Sequence, residues 1–512
     1  MNHLPALPFL LPALSACLLV LLWGRLRAQR AVAVVSVAAL LAVASACLLH
    51  TSDGGARVYA MGAWPARLGI VFVLDRLSAL MVALTAAVAA ASLLYALRGW
   101  DTRGAHFHPL LQFQIMGLNG AFLTGDLFNL FVCFELMLIA SYGLLQHGRG
   151  APRLRASVHY VVLNLIGSTL FLVAVSLLYR VGGTLNMADL GVMLAQAPRA
   201  QWPWIQAGAG VLLVVFLLKA AAAPLYLWLP GTYGAAAAPV AAIFTLLTKV
   251  GVYAVLRVYP LVFGASPAAD LATTVALPAA LGAVAAAALG ALSAPSLGTL
   301  TAWLALGSTA TWLAAVATGA AGAVGGGLYY LLASSLATAG LFLLTDTIAR
   351  HRGAAADRLE RAPPMPAARL MGAAFFVLAV ALSGMPPLAG FLGKFMILQG
   401  APGAPWLWGV ILGASLLNIV ALAKAGSRLF WNLEPAPPAT TLDRRLLAAP
   451  AVLLGLITAL TAVANPVVGF TRQAAAEALD PGGTRWEVLG AGPSAPRTGG
   501  RLPAPGGREA AP

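Results

Sequence analysis

Residues 126–145 have the sequence DLFNLFVCFELMLIASYGLL, an apolar run that begins with Asp126 and has one further acid, Glu135, in its interior. A run of about 20 predominantly apolar residues is long enough to cross the hydrocarbon core of a bilayer as a helix. At about 1.5 Å per residue, Glu135 lies about 15 Å into this helix, near the middle of a core about 30 Å thick. An ionisable residue at that depth indicates a functional site, the alternative being a structural carboxylate that accepts hydrogen bonds from a neighbouring helix.

Composition extends this interpretation to the whole chain. Of the 512 residues, 60% are hydrophobic and 9% are charged, and the mean hydropathy is +0.87. Soluble domains carry about 25% charged residues, so the chain is predicted to be a helical membrane protein. We count about fourteen apolar spans, at residues 4–24, 31–50, 68–97, 108–124, 126–147, 157–179, 204–229, 236–258, 271–292, 297–318, 325–349, 369–400, 405–430 and 444–470.

Two of these spans break the helical pattern at membrane depth. Pro224 and Pro230 interrupt the seventh span, and Pro386 and Pro387 interrupt the twelfth. Proline removes a backbone donor and breaks the helical ladder, and interrupted spans at corresponding positions indicate inverted repeats. We therefore predict an all-α membrane protein with two inverted five-helix repeats, helices 4–8 and 9–13, whose helices 7 and 12 are broken.

This pattern divides the chain into five parts. We expect helices 1–3 in residues 1–107, the first repeat in 108–258, the second in 259–430, the last transmembrane helix in 431–470, and a tail in 471–512. The tail is rich in Pro, Gly, Ala and Arg. Such a composition cannot bury a core, so we expect the tail to be largely disordered.

Arginines between the spans predict the orientation. They cluster in the loops after the first, fifth and eleventh spans, which share one side, and the positive-inside rule makes that side cytoplasmic. Both termini are then expected outside, and the chain is expected to be a multi-pass protein of a bacterial cytoplasmic (inner) membrane. The net charge of +15 is explained by these loops, and no basic patch interleaved with aromatic residues suggests a nucleic-acid partner.

Lysine has a different distribution. The chain has four lysines, and all of them lie inside apolar spans, at positions 219, 249, 394 and 424. Burial generally lowers the pKa of a lysine, so that it can release its proton, whereas arginine stays charged in any protein environment. We therefore predict that this membrane interior moves protons. No nucleotide-binding loop, cysteine cluster or haem motif appears, so no cofactor is implied.

The four lysines differ in predicted depth. Lys219 and Lys249 lie deep in their spans, and Lys394 follows the break in the twelfth span, which makes its depth hard to count. Lys424 lies about six residues from a cytoplasmic end, within the reach of a snorkelling side chain. Glu135, Lys219, Lys249 and Lys394 are the candidate proton-relay residues, and the alternative for each lysine is an interfacial position.

Three stretches carry a resemblance to a known family: residues 126–145, residues 218–259 with Lys219 and Lys249, and residues 383–399 (SGMPPLAGFLGKFMILQ) with Lys394. They resemble the D subunits of the Mrp/Pha-type monovalent cation/proton antiporters, which are related to the proton-pumping, antiporter-like subunits of respiratory complex I. The resemblance covers roughly residues 70 to 430. It implies that Glu135 and Lys219 form the coupled pair of a first half-channel, that Lys249 passes the proton laterally, and that Lys394 carries it in the second half.

The chain departs from that family at two places. Many relatives carry a histidine and a lysine in the eleventh span, where Ala333 and Thr338 are the nearest positions here. Many also open the tenth span with a charged cluster, and residues 296–299 (SLGT) stand there instead. After Trp228-Leu229-Pro230, the complex I relatives typically continue Asp-Ala-His, whereas this chain continues Gly-Thr-Tyr, which favours the antiporter branch.

The resemblance implies a function and two alternatives. We expect a proton-translocating subunit of a multi-subunit Na+(K+)/H+ antiporter, a secondary transporter and not an enzyme, which works with other subunits of a hetero-oligomeric complex in the bilayer. The first alternative is a proton-pumping subunit of a respiratory (NADH-quinone oxidoreductase) or hydrogenase complex. The second is a structural subunit whose own channel is inactive, which the missing groups of the eleventh span favour and the retained lysines oppose.

Overall fold

The computed structural model describes residues 3–434 and 443–490, and nearly all of their regular structure is helical. The α-helices are α1 (Leu7–Leu21), α2 (Leu26–Thr51), α3 (Arg76–Ala96), α4 (Phe107–Leu123), α5 (Leu127–Leu145), α6 (Ala151–Gly182), α7 (Met187–Ala195), α8 (Trp202–Lys219), α9 (Trp228–Ala235), α10 (Ala238–Phe244), α11 (Leu247–Val258), α12 (Leu271–Ser293), α13 (Leu297–Ala317), α14 (Ala321–His351), α15 (Ala368–Ser383), α16 (Ala389–Gln399), α17 (Pro405–Phe430), α18 (Ala448–Ala462), α19 (Ala464–Leu479) and α20 (Gly482–Val488). Two short strands, β1 (Arg57–Ala60) and β2 (Val71–Leu74), pair antiparallel.

Twelve helical segments of the described chain are long and apolar enough to cross a membrane. The most enclosed of them are Ala238–Phe263, Leu297–Ala317 and Ala321–His351, which form the centre of the bundle. Helix α4 and the two halves of the interrupted pair α15 and α16 are shorter. The helical membrane fold is confirmed, while the count of fourteen and the inverted repeats stay predictions.

The third predicted span, residues 68–97, is wrong at its start. Residues 71–74 form strand β2, and the helix begins only at Arg76. Asp75 caps that helix, because its side chain accepts a hydrogen bond from the Ser78 backbone while the Ser78 hydroxyl accepts one from the Asp75 backbone. A short apolar run does not distinguish a strand from a helix by periodicity, and the capping box decides where the helix starts.

The interruptions at the seventh and twelfth spans are confirmed. Helix α8 ends at Lys219 and the chain resumes as α9 at Trp228, so residues 220–227 lie between two helical pieces. In the twelfth span, α15 ends at Ser383 and α16 begins at Ala389. The eighth span is also divided, into α10 and α11, by a turn at residues 245–246.

The last span and the tail differ from the prediction. The span ends at Ala462, and a separate helix, α19, runs to Leu479 with Pro466 in its first turn, where proline is tolerated. Helix α20 follows, so the prediction of disorder from residue 471 is wrong as far as Val488. The TRQAAAEAL segment has strong helix formers and buries three alanines, which composition averaged over the whole tail conceals. Residues 491–512 lie outside the described part.

The bundle has two recognisable ends. At one end, which we call the hairpin side, β1 and β2 lie with α7, α19 and α20, and Arg67 of the hairpin loop pairs with Asp189 of α7 at 2.8 Å. At the opposite end, the arginine-loop side, Arg153 donates to the Ala235 carbonyl and Arg30 pairs with Asp101. Asp75 and Asp126 cap α3 and α5, as expected of structural residues at span ends.

Candidate functional site

Lys219 lies at the break between α8 and α9. It is the last residue of α8, and its side chain is 5% exposed. Its Nζ donates to Asn164 Oδ1 of α6 at 3.1 Å. A cation is favoured at a helix C-terminus because the last carbonyls carry a partial negative charge. The interruption therefore holds an amine inside the bundle, with a single side-chain acceptor from another helix.

Glu135 lies beside the same helix, α6. It is half-buried on α5 and accepts a hydrogen bond from the Ser168 hydroxyl. Ser168 also donates to the Asn164 carbonyl at 3.0 Å. No ion pair joins Glu135 to Lys219 within residues 3–434 and 443–490, so the two expected partners are linked through neighbouring turns of α6.

The polar face of α6 was missed by the sequence argument. Tyr160, Asn164 and Ser168 are spaced four residues apart and therefore lie on one face of the helix. Asn164 Nδ2 donates to the Tyr160 carbonyl at 2.8 Å, and the Tyr160 hydroxyl lies 2.9 Å from Ser141 Oγ of α5. The four-residue spacing of polar groups in an apolar span is the signal that would have found them. This face supplies hydroxyl and amide groups beside both charged residues.

Lys249 is fully enclosed. It lies on α11, and its Nζ donates to Ser308 Oγ at 3.0 Å and Thr309 Oγ1 at 2.7 Å, both on α13. Thr248 Oγ1 lies 2.9 Å from Thr309 Oγ1 and extends the hydroxyl cluster. No carboxylate of the described residues pairs with Lys249. An ammonium with only hydroxyl partners lacks the counter-charge that would hold its proton, which suits transient protonation.

Helices α8 and α11 approach closely at the two lysines. The site where Gly251 would carry a Cβ lies against the Ala220 backbone nitrogen and 2.8 Å from the Phe216 carbonyl oxygen. Any side chain larger than hydrogen at position 251 would therefore collide with the last turn of α8. The missing side chain allows the segment with Lys249 to lie directly against the turn that ends in Lys219.

Lys394 lies at the second interruption. Its Nζ donates to the Ser383 carbonyl, at the C-terminus of α15, at 2.9 Å and to Ser415 Oγ of α17 at 2.8 Å. Gly384 ends α15 with a φ of 75°, and a Cβ there would lie 2.7 Å from Lys394 Cδ, so both the backbone and the space require glycine. The exposed helix-end carbonyl thus acts as the acceptor for a buried amine.

A small polar cavity lies between Lys394 and the partners of Lys249. It has room for about one water molecule, and its polar lining comes from Ser308 and Thr311 of α13, Tyr330 of α14, Lys394, and Asn418 of α17. Asn418 Oδ1 accepts no hydrogen bond from the described residues. Because Ser308 also accepts from Lys249, one hydroxyl borders both lysine sites.

Of the two departures from the family pattern, the one in α14 has neutral neighbours, while residues 296–299 lie beside Asp357, whose carboxylate accepts from the Gly298 backbone at 3.0 Å. Thr338 is buried in α14 and donates to the Ser334 carbonyl at 2.7 Å, while Ala333 is buried one turn earlier. Ser296 caps α13 through the Thr299 backbone at 3.2 Å. Lys424, by contrast, is exposed on α17, as a snorkelling side chain would be, and its role stays a prediction.

Comparison with known proteins identifies the family. The description "NADH:quinone oxidoreductase/Mrp antiporter, TM" matches residues 124–419. The chain belongs to this family. It is 38% identical to the D subunit of a probable K+/H+ antiporter of Rhizobium meliloti, over 98% of this chain and 99% of that one. It is 34% identical to the D subunit of an Na+/H+ antiporter of Bacillus subtilis, over 86% of this chain and 89% of that one.

Solved structures agree with the family assignment. A chain of the Mrp complex from a Dietzia species superimposes with a TM-score of 0.86 at 26% identity, covering 95% of this chain and 99% of that one. A chain of respiratory complex I from Thermus thermophilus gives a TM-score of 0.75 at 26% identity, covering 93% and 99%. The expected resemblance to the D subunits of Mrp-type antiporters and to complex I is confirmed.

Proposed function

We propose that this chain is the proton-translocating subunit of a multi-subunit Na+(K+)/H+ antiporter in a bacterial cytoplasmic membrane. The observation that carries the proposal is the set of three enclosed lysines, at positions 219, 249 and 394, whose hydrogen-bond partners in the described part of the chain are all neutral. Similarity along nearly the whole length of antiporter D subunits supports the same function.

The proposed proton path starts at Glu135. Ser168 and Asn164 of α6 connect its carboxylate to Lys219, and a proton gained by one group raises the cost of protonating the next. The close packing at Gly251 then brings the α11 segment with Lys249 against the end of α8. The charges on Lys219 and Lys249 therefore interact across a short distance in a medium of low dielectric constant, so that protonation of one lysine affects protonation of the other.

In the second half, hydroxyl groups and water take the place of the missing ionisable residues. Lys249 donates to Ser308, which borders the cavity that Lys394 also lines. A water molecule in that cavity would contact Thr311 and the free Asn418 Oδ1, and water needs two to four such polar partners. This arrangement opposes the alternative of a structural subunit with an inactive channel.

The test is purification of the chain with its partners from native membranes, followed by reconstitution. We expect small antiporter subunits as partners and Na+- or K+-dependent proton flux in vesicles that contain the assembled complex. The chain expressed alone, in a host that lacks its own antiporters, should not restore growth in high Na+ or K+. Co-purification of iron-sulfur and quinone-reducing subunits would instead establish the respiratory alternative, which the fold similarity to complex I keeps open. Robust rescue by the isolated chain would overturn the assignment to a multi-subunit complex.

A further inference from the structure

Helix α11 carries a row of polar side chains that leads from Lys249 toward the hairpin side. Lys249, Tyr253 and Arg257 are four residues apart and lie along one face. At about 1.5 Å per residue, Arg257 lies about 12 Å further along the helix axis than Lys249. A proton on Lys249 therefore has a second potential route, outward along α11, besides the lateral route to Lys394.

A buried ion pair interrupts this outward row. Arg257 is 8% exposed and donates to both carboxylate oxygens of Asp75, at 2.6 and 2.8 Å. Its Nε donates to the Tyr253 hydroxyl at 3.1 Å, and Tyr253 donates to the Phe122 carbonyl at 2.5 Å. The guanidinium is thus the charged group nearest to Lys249 along the row, and Asp75 stands behind it on the hairpin side.

The far side of this pair faces the hairpin side of the molecule. A cavity with room for about one water molecule contacts Arg257 there, and Thr124 and Thr484 contribute to its lining. A second ion pair, between Arg76 and Glu477 of α19, lies beyond Asp75 at the start of α3. Arg257 therefore separates a water-sized space on the hairpin side from the row that begins at Lys249.

We propose that the Arg257–Asp75 pair is an electrostatic plug that closes the hairpin side of the Lys249 site to protons and alkali cations. A guanidinium does not release its proton in a protein, so it cannot relay one, and its positive charge repels an approaching cation. With that route closed, a proton on Lys249 can leave only laterally, toward Lys394. This inference rests on the proposed relay through Lys249.

The structural alternative is an ion pair that only stabilises the fold. A buried ion pair contributes little net stability compared with packed apolar residues, so stability alone does not account for its position in the row. The two roles predict different failures. Loss of a structural pair reduces assembly or antiport, whereas loss of a plug adds a proton leak that needs neither Na+ nor K+.

The experiment is to make the double variant Arg257→Met/Asp75→Asn in the assembled complex, reconstitute it, and measure the decay of an imposed pH gradient without Na+ or K+. Removing both charges avoids an unpaired buried ion. We expect the leak to rise about twofold or more, because the guanidinium faces the row at about 12 Å while Asp75 behind it offsets most of its repulsion at an effective dielectric constant of about 20. The matched control, Arg76→Met/Glu477→Gln, removes a pair beyond the plug and should not leak.

Two further measurements keep the outcomes distinct. Adding Lys249→Ala to the leaking variant should abolish the leak. A leak that persists in this variant would mean that the row does not start at Lys249. Antiport by the parent complex tests the proposed function separately. An unchanged leak in an assembled Arg257→Met/Asp75→Asn complex would overturn the plug.

If the double variant does not assemble, cysteine labelling decides the question in a complex that keeps Arg257 and Asp75 and has its native cysteines replaced. A membrane-impermeant thiol reagent on the hairpin side should label Thr484→Cys and leave Thr248→Cys unlabelled. Equal labelling of both positions would show that no seal separates them.

Discussion

The substitution Lys219→Arg separates proton release from simple charge pairing. Lys219 is 5% exposed, and among the described residues its only side-chain acceptor is Asn164 Oδ1 at 3.1 Å. Arginine keeps the positive charge at this position and can donate to the same amide oxygen. If Lys219 acts only through its charge, antiport should survive. If Lys219 must release its proton in each cycle, arginine should block the cycle.

The size of the effect follows from the chemistry of the guanidinium. A guanidinium stays protonated in proteins, so at pH 7 fewer than about one molecule in 10⁵ is neutral at equilibrium. A cycle that passes through the neutral amine would slow by a comparable factor, well below detection. We therefore expect Lys219→Arg to assemble with its partners and to show no measurable antiport. Glu135→Gln should also fail, since it removes the carboxylate that Ser168 connects to the same turn of α6.

The assay is cation-induced dissipation of a pH gradient in everted vesicles with matched amounts of complex. Arginine is larger than lysine, so recovery of the assembled complex must be measured before activity is interpreted. Lys424→Arg is the control, because Lys424 is exposed on α17 and has room for the larger head group. Near-normal antiport in an assembled Lys219→Arg complex would refute proton release at this site and leave a purely electrostatic role.

Three other substitutions test the remaining parts of the path, the first two by the same vesicle assay and the third by stability. Lys249→Ala should abolish antiport while exposed Lys424→Ala should leave it near normal, and equal losses would contradict the assignment of Lys249 to the relay. Thr311→Val should slow antiport severalfold and raise the solvent isotope effect on the antiport rate. Thr301→Val is the control, because it removes a buried hydroxyl on α13 away from the cavity, and it should change neither quantity. Equal effects of the two substitutions would show that the cavity lining has no special role. Gly251→Val should lower the free energy of unfolding by about 1–3 kcal/mol, because the new side chain overpacks against α8. The loss should be detectable as a lower unfolding temperature and reduced assembly. An unchanged complex would show that the contact tolerates a side chain.

Much of the candidate site was predictable because ionisable residues are conspicuous in apolar spans. Glu135 and the lysines could be selected by composition and depth alone, and prolines marked the interruptions where Lys219 and Lys394 lie. Their partners were not predictable in the same way. Serine, threonine and asparagine are common in membrane helices, and only the packing of α6 against α5 and α8, and of α13 against α11, shows which of them face a charge.

The sequence by itself determined the helical membrane class, the positions of the interruptions and the identity of the ionisable groups. These follow from local properties: apolar run length, the missing donor of proline, and the cost of a charge in hydrocarbon. Only the tertiary structure decided that Glu135 and Lys219 communicate through α6, that Arg257 pairs with Asp75, and that the chain after Ala462 folds onto the hairpin side. Those contacts join residues far apart in the chain, and their energies depend on which helix faces meet, a property that no single segment encodes.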